Sequence, residues 1–257
     1  MDSSADALQR YFIELCYDGT DYFGWQKQPK DISVQEVIES QLSKLHSNQP
    51  ISVVGCGRTD TGVHAHHYIL HVDIPMVKDL EKFRFKLNRM LPNSIAIQDV
   101  YPVSKDWHAR FSATARIYRY FAHHQKDPFQ SVTSLYFPQE LDIQAMNSAA
   151  ELLLGTQDFT SLSKLHTDVK TNICTVTKAE WINDGKQFYF EISADRFLRN
   201  MVRATVGILL EVGVGKIKPS EVKTILEAKD RGAAATSVPP QGLFLWKIEY
   251  DGLQKDK

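Results

Sequence analysis

Residues 51–75 read ISVVGCGRTDTGVHAHHYILHVDIP, and the order of elements in this stretch decides the fold. Residues 51–54 form a short β-branched strand, residues 55–63 are polar and punctuated by glycine, and residues 67–74 alternate like a strand before stopping at Pro75. Two strands therefore follow one another with no helix between them. Upstream, residues 11–18 read as a strand ended by Asp18-Gly19. Ser33 and Glu36 then make a Ser-x-x-Glu capping box ahead of Val34, Val37, Ile38, Leu42 and Leu45, which recur at helical spacing. Downstream, Asp79 caps a second helix with Leu80, Phe83, Leu87 and Met90 on one stripe, ended before Pro92. A strand at 95–100 follows.

The second half uses the same ingredients without visible sequence repetition. A strand is expected at 115–122, a helix over 142–154 stopped by Gly155, strands at 174–182 and 188–193, and helices over 197–212 and 220–228. In the last strand, 243–250, Phe244, Trp246, Ile248 and Tyr250 share one face at period two. Strands that neighbour strands favour an α+β architecture with a largely antiparallel sheet over a doubly wound parallel one. The 257 residues suffice for one large domain or two small ones. With no low-complexity linker, a tight boundary is expected near 102–106, giving an N-terminal half at 10–104 and a C-terminal half at 105–251.

Composition narrows the function classes. At 43% hydrophobic and 24% charged, the chain is of ordinary globular make-up, and its apolar runs stay short of the ~20 residues of a membrane-spanning helix. The opening residues 1–9 lack the basic start and apolar stretch of a secretory signal, and Cys16, Cys56 and Cys174 form no CxxC pair. A reducing cytoplasm is the expected compartment. The net charge of −1 conceals sorting: from Trp107 to Lys126 there is no Asp or Glu, while Arg110, Arg116, Arg119, Lys126 and three histidines fall inside it. Such a stretch suits a phosphate-rich ligand, and equally a solvated face.

The glycine-punctuated segment invites several motif readings. A dinucleotide fingerprint needs a glycine where Asp60 stands. The spacing Gly57 to Gly62 opens like a phosphate loop, but Val63 occupies the lysine position and no helix follows. A metal site on His64, His66 and His67 is opposed by strand alternation, which sends His66 and His67 to opposite faces. What remains is a carboxylate, Asp60, two residues after Arg58 in a loop that lets backbone approach a ligand. Such an aspartate serves as nucleophile or general base, or simply as an Asx-turn residue with Arg58 its surface partner.

Arg196, Arg199 and Arg203, spaced 0, 3 and 7, are expected to share one stripe at the start of the helix carrying Met201, Val202, Val206 and Leu209. Three arginines rather than lysines suit bidentate contacts to phosphate or carboxylate. On the strand at 115–122, Arg116, Tyr118 and Tyr120 share a face that mixes cations with rings able to stack on bases.

Taken together, these segments resemble the TruA type of tRNA pseudouridine synthase over nearly the whole chain. The matching strings are Tyr17-Asp18-Gly19 through Gly24-Trp25-Gln26, the Gly57 to His64 string, His108-Ala109-Arg110-Phe111-Ser112-Ala113-Thr114-Ala115-Arg116, Tyr118-Arg119-Tyr120, Asp158-Phe159-Thr160, Met201-Val202-Arg203 with Val206-Gly207, and Gln241-Gly242-Leu243. The resemblance implies two pseudo-related α/β halves sharing a continuous mixed, largely antiparallel sheet, with an active cleft between them. It implies isomerisation of uridine to pseudouridine at positions 38, 39 and 40 of the tRNA anticodon stem-loop by a cytoplasmic homodimer, without metal or organic cofactor. Asp60 is then the catalytic aspartate, Arg203 its cationic partner, and Tyr118 a ring that stacks on the flipped base and serves in proton transfer. Arg58, Arg110, Arg116 and Leu243 are implied as substrate contacts. Arg199 and Asn200 stand where some relatives carry histidines, and Pro239-Pro240 precede Gln241; these departures bear on tRNA grip. An RNA-binding module without catalysis, or a metal-dependent hydrolase on the three histidines, are the competing readings.

Overall fold

The structure is a computed structural model that describes residues 8–164, 171–185 and 187–254. Its elements run β1 (Gln9–Tyr17), α1 (Val34–Leu45), β2 (Val53–Gly55), β3 (His64–Ile74), α2 (Leu80–Met90), β4 (Ile95–Val103), β5 (Ala115–His123), β6 (Leu135–Tyr136), α3 (Ile143–Glu151), β7 (Gly155–Asp158), β8 (Ile173–Asn183), β9 (Phe188–Ala194), α4 (Met201–Gly213), α5 (Glu221–Glu227) and β10 (Leu243–Glu249). They fall into two compact units. One runs to Thr114 and takes the chain back from Leu245; the other is Ala115–Phe244.

In the first unit β1 lies between β3 and β4, antiparallel to both, with Ile13 opposite Leu70 on one side and Val100 on the other. β2 adds to β3 with Val54 opposite His71. α1 starts where the capping box predicts: the Ser33 hydroxyl accepts from the Glu36 N–H, and Val34, Ile38 and Leu42 are buried. Each such side chain contributes ~1.5–3 kcal/mol on burial. Glu39 and Gln35 of this helix fasten it to Val53, through the Val53 N–H at 3.1 Å and its carbonyl at 3.2 Å. Asp79 caps α2 by accepting from Lys82, and Phe83 and Leu87 are its buried residues. β4 runs on through Pro102, a residue an edge strand tolerates. Phe12, Ile69, Tyr101, Val103 and Ala109 form a core cluster against which Trp107, Tyr250 and Leu253 pack, which ties the chain after β10 to this unit.

In the second unit β5, β9, β8 and β7 are antiparallel neighbours in that order, with Tyr120 opposite Phe190 and Phe190 opposite Trp181. β6 pairs with β5 in parallel, so the strands are mixed but mostly antiparallel, as the α+β reading expects. α3 is pinned to β8 by Asn147, which exchanges hydrogen bonds with the Trp181 carbonyl and N–H at 3.1 and 2.7 Å. α4 is buried on nearly every side, as its apolar composition requires.

Two expectations are corrected. The helix predicted from residue 197 begins at Met201, because Asn200 sits in the left-handed region at φ 69° and breaks the helical path. β6 and β7 were not expected; Gly155, at φ +90°, both ends α3's segment and opens β7. In β10 Leu243, Leu245 and Ile248 are buried, while Phe244 and Trp246 are half-buried.

Candidate active site

The loop between β2 and β3 buries Thr59 and leaves Arg58 exposed and Asp60 half-buried. Its shape is fixed from every side by the first unit. The Cys56 N–H donates to the Ile69 carbonyl at 2.9 Å, and the Tyr68 hydroxyl donates to the Gly57 carbonyl. Tyr17 and Thr59 share a hydroxyl–hydroxyl bond of 2.8 Å, and the Thr59 carbonyl accepts from the Trp25 N–H at 3.3 Å. Beyond Asp60 the chain turns at Gly62, φ +73°, with Val63 N–H donating to the Asp60 carbonyl at 3.1 Å and Gly62 N–H to the Tyr22 carbonyl at 3.2 Å. Trp25 and Tyr68 stack with ring centroids 4.1 Å apart.

Two glycines of the segment that follows β1 make this fit possible. Gly24 adopts φ +82°, and a methyl there would run into the Thr59 carbonyl oxygen and approach the Asp60 carbonyl carbon to 3.1 Å. A methyl on Gly19 would strike the Val63 carbonyl. The Gly19 N–H donates to Nδ1 of His64, which is 1% exposed and 3.1 Å from Asp18 Oδ1. Burial opposes the charged form of Asp18, but hydrogen bonds donated by the Thr20 hydroxyl and N–H hold its carboxyl below the usual carboxylate range. The strings around Gly19-to-Trp25 and Gly57-to-His64, distant in sequence, are thus two halves of one clamp around an aspartate.

The three histidines have separate occupations. His64 serves the clamp, His66 stacks on Trp246 with centroids 4.0 Å apart, and His67 Nδ1 accepts from the Ile248 N–H. Among the described residues, no group of three or more His, Cys, Asp or Glu is placed to hold a metal ion. Arg110, also in this unit, is exposed, its guanidinium 5.6 Å from the Phe111 ring centroid.

In the second unit Tyr118 is half-buried on β5 and meets Phe197 edge-on, centroids 5.0 Å apart. Arg116 Nη1 donates to the Asp195 carbonyl at 2.7 Å. Arg203, in the first turn of α4, donates from Nε to the Val238 carbonyl at 2.7 Å, and the Val238 N–H donates back to the Arg203 carbonyl. The buried Tyr120 hydroxyl donates to the next carbonyl, that of Pro239. Burial pushes the Tyr120 phenol up, with the Arg203 charge pulling the other way. Gly242 then passes so close to Tyr120 that a methyl would lie 2.8 Å from its ring, and Leu243 follows, buried. A second close approach, of the Thr236 carbonyl to Gly207, seats the 231–238 segment on α4. Tyr120, Arg203, Val238 and Leu243 therefore belong to one packed assembly.

The expected arginine stripe does not form. Arg196 and Arg199 precede α4 and only Arg203 lies on it, for the left-handed Asn200 stands between. Arg119 donates from Nε to Glu191 at 2.6 Å, so part of the positive run is neutralised within the fold. Sequence reasoning missed Tyr17, Trp25, Tyr68 and Val238 as supports. The first two lie in or beside the matched strings; nothing local marks Val238.

The family model described as tRNA pseudouridine synthase matches residues 16–112 and 149–251. Similar proteins include the tRNA pseudouridine synthase A of Parabacteroides distasonis, 49% identical over 95% of this chain and 96% of that protein. The one from Porphyromonas gingivalis is 47% identical over 95% and 98%. The one from Bacillus subtilis is 41% identical over 92% and 97%. The chain belongs to the tRNA pseudouridine synthase family. Both segments of the aspartate clamp lie inside the first matched region, and Arg203, Val238 and Leu243 within the second, while Tyr118 and Tyr120 fall between the two.

Proposed function

We propose that this protein isomerises uridine to pseudouridine at positions 38, 39 and 40 of the tRNA anticodon stem-loop, working in the cytoplasm as a homodimer without metal or organic cofactor. The observation that carries this reading is the half-buried Asp60, held by backbone and side-chain bonds on a loop that leaves its neighbour Arg58 in solvent. In the reaction the N1–C1′ bond breaks, the uracil turns, and a C5–C1′ bond forms while the C5 proton leaves and N1 gains one. No atoms are exchanged overall.

A stacked uridine is out of reach of a carboxylate, so it is first flipped out at a cost of a few kcal/mol. Arg58, exposed beside Asp60, holds the vacated stack and contacts phosphate. Asp60 attacks or assists at the reacting sugar and base. From the second unit, Tyr118 stacks on the flipped ring and serves the proton transfer at C5, and Arg203 is the cation for the carboxylate. Leu243 supplies an apolar surface for the base, and Arg110 and Arg116 contact the RNA backbone. The first unit, with Arg58, Asp60 and Arg110, and the second, with Arg116, Tyr118, Arg203 and Leu243, divide these tasks.

Carbodiimide labelling and primer extension on unmodified tRNA transcripts test this. Transcripts with uridine at 38, 39 or 40 singly should each acquire one new stop at that position. Absence of new pseudouridine, or pseudouridine only outside the anticodon arm, would overturn the assignment.

A further inference from the structure

We infer that Phe111, with the Arg110 guanidinium beside it, is a stacking platform for an unpaired tRNA base remote from the reacting uridine; this rests on the tRNA reading above. Phe111 is 76% exposed, yet the backbone that carries it is hydrogen-bonded at several points. The His108 N–H donates to Ser112 Oγ at 2.9 Å and the Ser112 N–H donates to the His108 carbonyl at 3.0 Å, closing a tight turn. Inside that turn His108 Nδ1 accepts from the N–H groups of both Arg110 and Phe111, at 3.1 and 3.2 Å. Ala109 is buried; its N–H donates to His71 Nδ1 at 3.1 Å and its carbonyl accepts from the Tyr250 hydroxyl. Just upstream, Arg10 Nη1 holds the carbonyls of Lys105 and Trp107.

A turn anchored at this many points could have tucked a phenyl ring inward. Instead the ring is offered to solvent, backed by the His108 imidazole with centroids 4.3 Å apart and planes 32° from parallel. A rigid aromatic beside a guanidinium, in a stretch without acidic residues from 107 to 126, has the chemistry of a nucleobase stacking surface, with a cation beside it to attract the nucleotide's phosphate. Its anchor, His71, is seven residues along β3 from His64, where the aspartate loop ends, or ~23 Å at ~3.3 Å per residue. The platform therefore grips a nucleotide other than the one being isomerised, and its loss should weaken binding and spare chemistry.

The experiment compares Phe111→Ala, Phe111→Leu and Phe111→Tyr with wild type. It reads Kd for an unmodified tRNA transcript by filter binding, the single-turnover rate at saturating tRNA, thermal midpoint, and mass in solution by light scattering. Ala and Leu should raise Kd roughly fivefold to a hundredfold, Tyr should restore it, and the rate, midpoint and mass should hold. Leu binding like wild type would show that the ring is not needed and overturn the proposal. A change of mass that tracks the Kd change would do the same, placing the ring at a protein–protein contact. If wild type binds tRNA through Phe111 but makes no pseudouridine, the enzymatic reading fails while the platform stands.

Discussion

Replacing Gly24 by alanine probes the clamp without touching a polar group. The residue adopts φ +82°, where an L side chain costs ~1–2 kcal/mol. The added methyl also enters the space of the Thr59 carbonyl oxygen and comes within 3.1 Å of the Asp60 carbonyl carbon. These neighbours are backbone, so no rotamer change relieves the clash, and overpacking of this kind costs a further ~1–3 kcal/mol. The expected loss is roughly 2–5 kcal/mol of stability, with a displacement of the Asp60 loop of ~1 Å and a rate loss of about a hundredfold. Gly155→Ala is the control, because Gly155 has φ +90° with nothing within 4 Å of a built Cβ. It should lose only ~1–2 kcal/mol and keep its rate. Urea denaturation reads the first quantity; tritium release from tRNA labelled at C5 of uridine reads the second. Equal behaviour of the two variants in both assays would refute the claim that Gly24 is required by its contact with the aspartate loop.

Arg203→Lys removes the Nε–H that donates to Val238, and should cost ~1.5–3 kcal/mol in urea denaturation together with turnover; an unchanged midpoint would show the contact to be dispensable. His71 is held down to about 4, chiefly by burial and then by the Arg10 charge, so it stays neutral in the fold while an unfolded histidine titrates near 6.5. Its contribution is complete above about pH 6.5 and is lost as pH falls toward about 4, since the unfolded chain then binds the extra proton. His71→Asn, which keeps an acceptor for the Ala109 N–H, should flatten the stability-against-pH slope in that window; an unaltered slope would contradict the assignment. Affinity for tRNA should fall about a hundredfold or more between ~50 and ~200 mM salt, and a flat response would argue against phosphate contacts.

Where local chemistry sets the structure, the sequence was a sufficient guide. Ser33 and Asp79 cap their helices as their side chains dictate, and the strands at 115–123 and 188–194 are β-rich runs that needed no tertiary help. The failures are places where one backbone conformation or a distant partner decides. Nothing in the run from Arg196 to Arg203 announces that Asn200 will turn left-handed and end the arginine stripe. β6 has two residues and exists because β5 is beside it.

The same division holds at the site. Asp60 stands out as a carboxylate two residues after an arginine in a glycine-punctuated loop, a pattern that an Asx turn explains equally well; its catalytic role comes from the family resemblance. Its supports were invisible as supports: the bond from Tyr17 to Thr59 spans 42 positions and that from Gly19 to His64 spans 45. Neither pairing leaves a periodic or compositional trace. The two strings were each recognisable, and the reason they occur together became physical only once Gly24 was seen against Thr59.

The most direct test of the central claim is Asp60→Asn, which keeps the side chain's size and its place in the turn while removing the carboxylate. Single-turnover tritium release and filter binding should be measured on the same labelled transcript. The expected result is release no faster than background, with Kd within about threefold of wild type, a difference of under ~1 kcal/mol. Release at the wild-type rate would contradict the assignment of Asp60 as the catalytic residue.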